Sequence, residues 1–254
     1  MKLVTWNVNS LKVRLPQVLQ WLADNPVDVL CLQETKLTND KFPVADIEAA
    51  GYQVAFTGQK TYNGVAILSK HAMTDVVKNN PLFADEQQRL IAATIEGIRV
   101  VCAYIPNGQS LESEKYPYKL KWLAALRDWL EAQAKTHANL ALLGDYNIAP
   151  DDRDVSDPEN WVGQVLVSEP ERAAFKAFCD LGLTDSFRLF EQGEKLYTWW
   201  DYRQMAFRRN KGLRIDHILL SAPLVARCKS CIIDKVPRKW EQPSDHTPVV
   251  ATLD

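Results

Sequence analysis

The sequence contains no uninterrupted apolar run of the ~18 residues that a membrane-spanning helix needs, so no helical anchor is expected. Its opening residues, Met1-Lys2-Leu3-Val4-Thr5-Trp6-Asn7, turn polar too soon for the apolar stretch of a secretory signal. This predicts a soluble, cytoplasmic protein. Low-complexity tracts and Gly/Ser-rich linkers are also missing, and neither a short-period repeat nor an abrupt charge block divides the chain. With 254 residues, 46% of them hydrophobic and 24% charged, it can bury a sizeable core and is expected to fold throughout as one domain over residues 1–254. Cysteine is scarce: five residues, an odd number, fit reduced thiols better than a disulfide framework. Cys228 and Cys231 have the spacing of a metal pair but lack a second pair or nearby histidines and sit in a strand-like stretch, so zinc is not expected. Excess positive charge is lacking as well. At a formal net charge of −2, a nucleic-acid partner would require the basic residues to be concentrated locally.

What the chain does contain is a series of short β-rich apolar runs between helical patterns. Leu3 to Trp6, Val27 to Leu32, Val54 to Phe56, Val65 to Leu68, Leu90 to Ile95, Arg99 to Tyr104, Leu140 to Leu143, Ile215 to Leu220 and Val249 to Leu253 are strand-length and bounded by polar or turn residues. Leu15, Val18, Leu19 and Leu22 share one helical face; Trp122, Leu123, Leu126, Trp129 and Leu130 share another. A third helix is predicted from Glu169 to about Leu181. Many antiparallel-looking strand pairs with few intervening helices predict an α/β fold in which two sheets pack face to face with helices outside.

Reactive polar residues recur at the ends of these strands. Asn7 and Asn9 follow the first, Gln33 and Glu34 the second, Tyr104 and Asn107 the run from Arg99, and Asp145 and Asn147 the run from Leu140. Asp216 interrupts the run from Ile215, and Ser244-Asp245-His246 precedes the last strand. Taken singly, Glu34 reads as a capping or solvated carboxylate, Asp145 and Asn7 as turn residues, Tyr104 as a core aromatic and His246 as a surface histidine. Together they supply what phosphodiester hydrolysis requires: carboxylate oxygen for a hard cation, a base or orienter for water, and donors aimed at charge developing on phosphoryl oxygens.

Lys-Leu-Val-Thr-Trp-Asn-Val-Asn, Leu-Gln-Glu-Thr-Lys, Gly-Asp-Tyr-Asn, Gly-Leu-Arg-Ile-Asp-His and Pro-Ser-Asp-His-Thr-Pro-Val, in that order and over essentially the whole chain, closely resemble the bacterial exonuclease III and AP endonuclease family. That family lies within the endonuclease/exonuclease/phosphatase superfamily, which also holds DNase I and inositol-phosphate phosphatases. The resemblance implies a four-layer α/β sandwich of two mixed sheets flanked by helices. It implies an Mg²⁺- or Mn²⁺-dependent, monomeric enzyme of base-excision repair acting on double-stranded DNA with 3′ ends, nicks or abasic sites. Carried over residue by residue, Glu34 is a metal ligand, Asn7 supports the same centre, and Asp245 is a candidate at the metal. Asp145 orients or deprotonates water; Asn147 and Tyr104 bond the scissile phosphate. His246 stabilises the added charge, with Asp216 or Asp245 holding its imidazole. Arg89 matches an arginine near the family's active site, and Asn9 and Asn107 are expected DNA contacts.

DNA in particular is suggested by the stretch from Tyr197 to Arg214, where aromatics including Trp199 are interleaved with Arg203, Arg208, Arg209, Lys211 and Arg214. Cations neutralise backbone phosphates while aromatics stack on bases or line a pocket for an extruded sugar. By the family resemblance, the walls of that pocket fall at Leu166 on one side and at Trp199, Leu213 and Ile215 on the other. All are bulky, which predicts that 3′-end trimming and cleaning outrank abasic incision. The rivals are an inositol- or lipid-phosphate phosphatase of the same superfamily and a non-catalytic lesion-binding module. The second is disfavoured because Glu34, Asp145, Asp216, Asp245 and His246 are all present.

Overall fold

Side chains of successive strand residues point to opposite faces, and here both faces are apolar. In the computed structural model, which describes residues 1–254, the chain runs β1 (Lys2–Asn7), α1 (Leu11–Asp24), β2 (Val29–Gln33), α2 (Val44–Ala49), β3 (Gln53–Thr57) and β4 (Val65–Ser69). It continues through β5 (Thr74–Lys78), β6 (Leu90–Ile95), β7 (Ile98–Tyr104), α3 (Lys115–Thr136), β8 (Leu140–Asp145), α4 (Pro158–Trp161) and α5 (Glu169–Asp180). The last third holds β9 (Leu183–Asp185), β10 (Asp216–Ser221), α6 (Ala222–Arg227), β11 (Cys228–Ile233) and β12 (Val249–Leu253).

Two six-stranded sheets result, ordered β11-β12-β1-β2-β4-β3 and β5-β6-β7-β8-β10-β9. Leu3, Val29, Cys31, Val65 and Ile67 of the first meet Ile91, Val100, Cys102, Leu143 and Ile218 of the second in the central core. The outward residues are buried too. Val4, Trp6, Leu30 and Leu32 pack under α1 with Val18, Trp21 and Leu22. Val101, Ala103, Leu140 and Leu142 pack under α3 and α5 with Trp122, Leu126, Phe175 and Phe178. Burial on both faces is why these strands read as continuous apolar runs rather than alternating ones. The layering is therefore helix, sheet, sheet, helix, the four-layer sandwich expected from the sequence. No helix is long and apolar enough to cross a membrane.

Differences lie at the margins. β5 is an exposed edge strand and β9 has three residues, so neither carries an apolar run to detect. β10 begins one residue later than the run from Ile215 suggests. The helix expected from Glu169 is set by a capping box: the Ser168 side chain accepts from the Glu171 backbone, and Glu171 reaches back to the Ser168 N–H.

Strand direction gathers the polar residues at one edge of the sandwich. β1 and β2 run parallel with Asn7 beside Gln33, so Asn7 and Glu34 emerge together. In the second sheet, β7 and β8 run parallel with Tyr104 beside Asp145, and antiparallel β10 enters with Asp216 opposite Asp145. β12 starts beside the end of β1, Val249 pairing with Thr5, which delivers the preceding Ser244-Asp245-His246 to the same edge.

Candidate active site

Non-glycine residues with positive φ cost free energy and concentrate where function requires them. Here Asn9, Ser10, Glu34, Lys36 and Asn147 all adopt positive φ at the shared strand edge. The Asn7 amide donates to Glu34 Oε1 and to Asp145 Oδ2, each at 2.9 Å, and so bridges the two sheets' carboxylates. Asp145 is buried, and the Asn147 backbone N–H donates to its Oδ1 at 2.9 Å. His246 Nδ1 lies 2.8 Å from Asp216 Oδ2, while its Nε2 faces Asp145 Oδ2 at 3.7 Å. Asp216, rather than Asp245, thus holds the imidazole. The Ser of Ser244-Asp245-His246 is explained as well: its hydroxyl donates to the Asn7 carbonyl and accepts from the His246 N–H, pinning the motif to β1.

Electrostatics divide the two partners' roles. Burial would lower the His246 pKa, but Asp216 and Asp145 outweigh it and raise it to about 10, so the ring is an imidazolium. Burial and the nearby Asp216 push Asp145 up to about 7 against the pull of His246. Burial, then the Glu34 carboxylate, drive the Tyr104 phenol well above its ordinary value, so it remains a donor. Arg89 lies over the Tyr104 ring, 4.8 Å from its centroid, and donates to the Tyr104 carbonyl at 3.3 Å, which fixes that side chain's edge of the site.

The donor set fits a hard divalent cation. Carboxylate oxygens of Glu34 and Asp145 lie within 4.8 Å of each other and of His246, and Asp216 Oδ1 is buried without a hydrogen-bond partner; the imidazolium has no lone pair to offer, so the oxygens are the donors. Hard carboxylate oxygens of this kind suit a divalent cation; Lys36 lies 3.0 Å from Glu34. Lys36 also donates to Asn9 Oδ1 at 2.6 Å. Its role was not singled out from the sequence, although it stands within Leu-Gln-Glu-Thr-Lys.

Several expected roles change. Asp245 is not among the Glu34, Asp145 and His246 group; its oxygens accept from Trp199 Nε1 and Asn9 Nδ2, both at 3.0 Å, so it anchors those side chains. Asn147 has little left for a phosphate, because its amide donates to the Ile105 carbonyl at 2.9 Å and faces Asp145 at 3.4 Å, while its oxygen accepts from Asn107. It orients Asp145. Arg214, expected as a phosphate contact, is 1% exposed and held by Asp154 and Asp185, its charge neutralised internally. Arg208, Arg209 and Lys211 are exposed on the same segment; Arg203 is exposed but paired with Asp201. Leu166, Leu213 and Ile215 do come together, packed with Ala149 and Val155 and flanked by Trp199, as a closed apolar plug beside the site.

The chain is similar to known proteins over its whole length. The chain is 36% identical to Exodeoxyribonuclease III of Haemophilus influenzae, with 99% of both chains covered. In structure it is similar to a 3′ phosphatase from Neisseria bound to product DNA hairpin, with TM-score 0.98, 50% identity, and 100% and 99% of the two chains covered. It is likewise similar to an AP endonuclease from Archaeoglobus fulgidus, with TM-score 0.97, 42% identity, and 100% and 99% coverage. Residues 4–246 match the family description, and the chain belongs to the Endonuclease/Exonuclease/phosphatase family.

Proposed function

We propose that this protein is a DNA-repair phosphodiesterase that trims and cleans 3′ ends and has a capacity for abasic-site incision. The carrying observation is His246 placed between Asp216 and Asp145, with Glu34 close by. Asp145, poised near neutrality and held by Asn7 and Asn147, accepts the proton of the attacking water. His246, an imidazolium facing the same space, donates to a phosphoryl oxygen as charge builds on it, and the protonated Tyr104 adds a second donor. Glu34 and neighbouring oxygens would hold Mg²⁺ or Mn²⁺, which supplies Lewis-acid neutralisation of phosphate charge. Exposed Arg208, Arg209 and Lys211, the last lining a cleft with Trp199, favour a polyanionic duplex over an inositol phosphate. On this proposal the enzyme acts on DNA in the cytoplasm, as a monomer.

The plug suggests which DNA ends are preferred. Leu166 is 5% exposed, adopts φ 78 and fills the space against Leu213 and Ile215. An internal abasic sugar must flip fully out of the duplex to enter such a space, whereas a frayed 3′ terminus enters with less distortion. Activity is therefore expected to rank 3′-phosphate removal and recessed-end trimming above abasic incision. A panel of abasic, 3′-phosphate, recessed 3′-hydroxyl and nicked duplexes, run beside an inositol phosphate, tests the reading. Turnover of the inositol phosphate alone would refute it.

A further inference from the structure

Lys119 belongs to α3, where a surface lysine would be solvated, yet it is fully buried. Its ammonium has three donors and all are used. One goes to the Asn147 carbonyl at 2.7 Å, one to the Asn107 carbonyl at 3.1 Å, and one to Glu171 Oε1. Glu171, equally buried, turns its remaining capacity on the 166–168 segment. Oε1 also accepts from the Leu166 N–H at 3.0 Å, and Oε2 accepts from the Ser168 N–H at 3.1 Å and its hydroxyl at 2.6 Å. Since that hydroxyl hydrogen is spent, Tyr116 donates to Ser168 Oγ at 2.7 Å. Gly108 has φ +91, and a Cβ there would come within 3.2 Å of Lys119 Cδ and 3.0 Å of Val165 Cγ2, so this backbone lies directly against the lysine stem.

A buried ion pair is an inefficient stabiliser, because desolvation offsets most of the attraction and apolar residues of similar volume often serve as well. What apolar residues cannot do is hold named backbone groups in place. The two carbonyls gripped by Lys119 belong to the residues that form the chain Asn107 to Asn147 to Asp145. The N–H groups gripped by Glu171 belong to the segment that presents Leu166 to Leu213 and Ile215. We infer that Lys119 and Glu171 form a positioning pair that fixes the Asp145-orienting asparagines and the Leu166 wall in one frame, so that reaction rate and choice of 3′ group are set together. The inference rests on the DNA phosphodiesterase reading above.

The test compares the parent with the double variant Lys119→Met/Glu171→Leu and with Glu171→Gln. Each is measured for melting temperature, and for kcat and KM on 3′-phosphate and abasic duplexes. Glu171→Gln keeps the shape but offers one acceptor oxygen where Glu171 serves four donors. The double variant should melt below the parent, because the Asn107 and Asn147 carbonyls and the Leu166 and Ser168 N–H groups lose buried partners; positioning predicts that in the folded protein KM moves by less than about 3-fold while kcat falls on the order of 10²-fold. The abasic to 3′-phosphate ratio should shift as well. Glu171→Gln should fall about 10-fold in kcat in the same direction, and it carries the test if the double variant does not fold. Variants with parental kcat and parental ratio would overturn the inference alone. A parent that turns over none of the duplexes would overturn the functional reading and this inference with it.

Discussion

Replacing Arg214 with Met separates a buried structural role from a DNA contact. Arg214 Nε donates to Asp154 Oδ1 at 2.7 Å, and its terminal nitrogens reach Asp185 Oδ2 at 2.7 Å, Asp185 Oδ1 at 3.2 Å and His217 Nδ1 at 3.0 Å. His217 Nε2 in turn donates to the Ile148 carbonyl at 2.8 Å, one residue from Asn147. Arg214→Met leaves Asp154 with only Arg188 and Asp185 with only the Phe187 N–H. Removing one member of such a buried pair costs about 3–5 kcal/mol, and each kcal/mol lowers Tm by about 2–4 °C in a chain of this size. Calorimetry should therefore find a drop on the order of 6–20 °C.

The pH dependence carries its own sign. Burial would raise the Asp185 carboxyl, but Arg214 and His217 outweigh it and hold it below its ordinary value. Burial and Arg214 push His217 down to about 4. Both depressed groups contribute stability above their unfolded pKa values, about 3.9 and about 6.5, that is lost as pH falls. Without Arg214 the buried Asp185 carboxyl rises above its unfolded value, so its penalty is largest at neutral pH and is relieved by protonation; His217 is freed to rise as well. The Tm gap between parent and variant should be widest near pH 7 and narrow towards about pH 4. An unchanged Tm with a raised KM, and a salt slope reduced by about 0.9, would instead make Arg214 a phosphate contact and refute the burial argument.

Metal dependence should appear as complete loss of cleavage in EDTA, with Glu34→Ala needing far more Mg²⁺ than the parent for half-maximal rate; full activity in EDTA would sink the mechanism. His246→Ala should lower kcat by a factor on the order of 10² or more with little change in DNA affinity. A variant that loses binding but keeps turnover would make His246 a docking residue. Leu166→Gly relieves the positive φ at that position and opens the plug, so abasic incision should rise relative to 3′-phosphate removal. Equal loss on both duplexes would mean that Leu166 only packs beneath its loop.

The sequence by itself determined the layering and singled out candidates for the site. Strands buried on both faces are apolar along most of their length, so Asn7, Glu34, Tyr104, Asp145 and Asp216 stand out as polar interruptions at their ends. Their meeting follows once strand order is known, because parallel β1–β2 and β7–β8 carry their ends to one edge. Partner choice was left to tertiary structure. Asp216 and Asp245 were equal candidates for the His246 imidazole, and the 2.8 Å contact with a β10 residue selects Asp216 while Trp199 and Asn9 occupy Asp245. Arg214 resembled its cationic neighbours because a local sequence does not reveal Asp154, sixty positions away, or Asp185. Lys119, with the look of a solvated helix residue, gains its role from Asn107, Asn147 and Glu171 on three other segments. Composition and periodicity report which residues avoid water; which buried charges face one another depends on long-range contacts, and only the folded chain decides it.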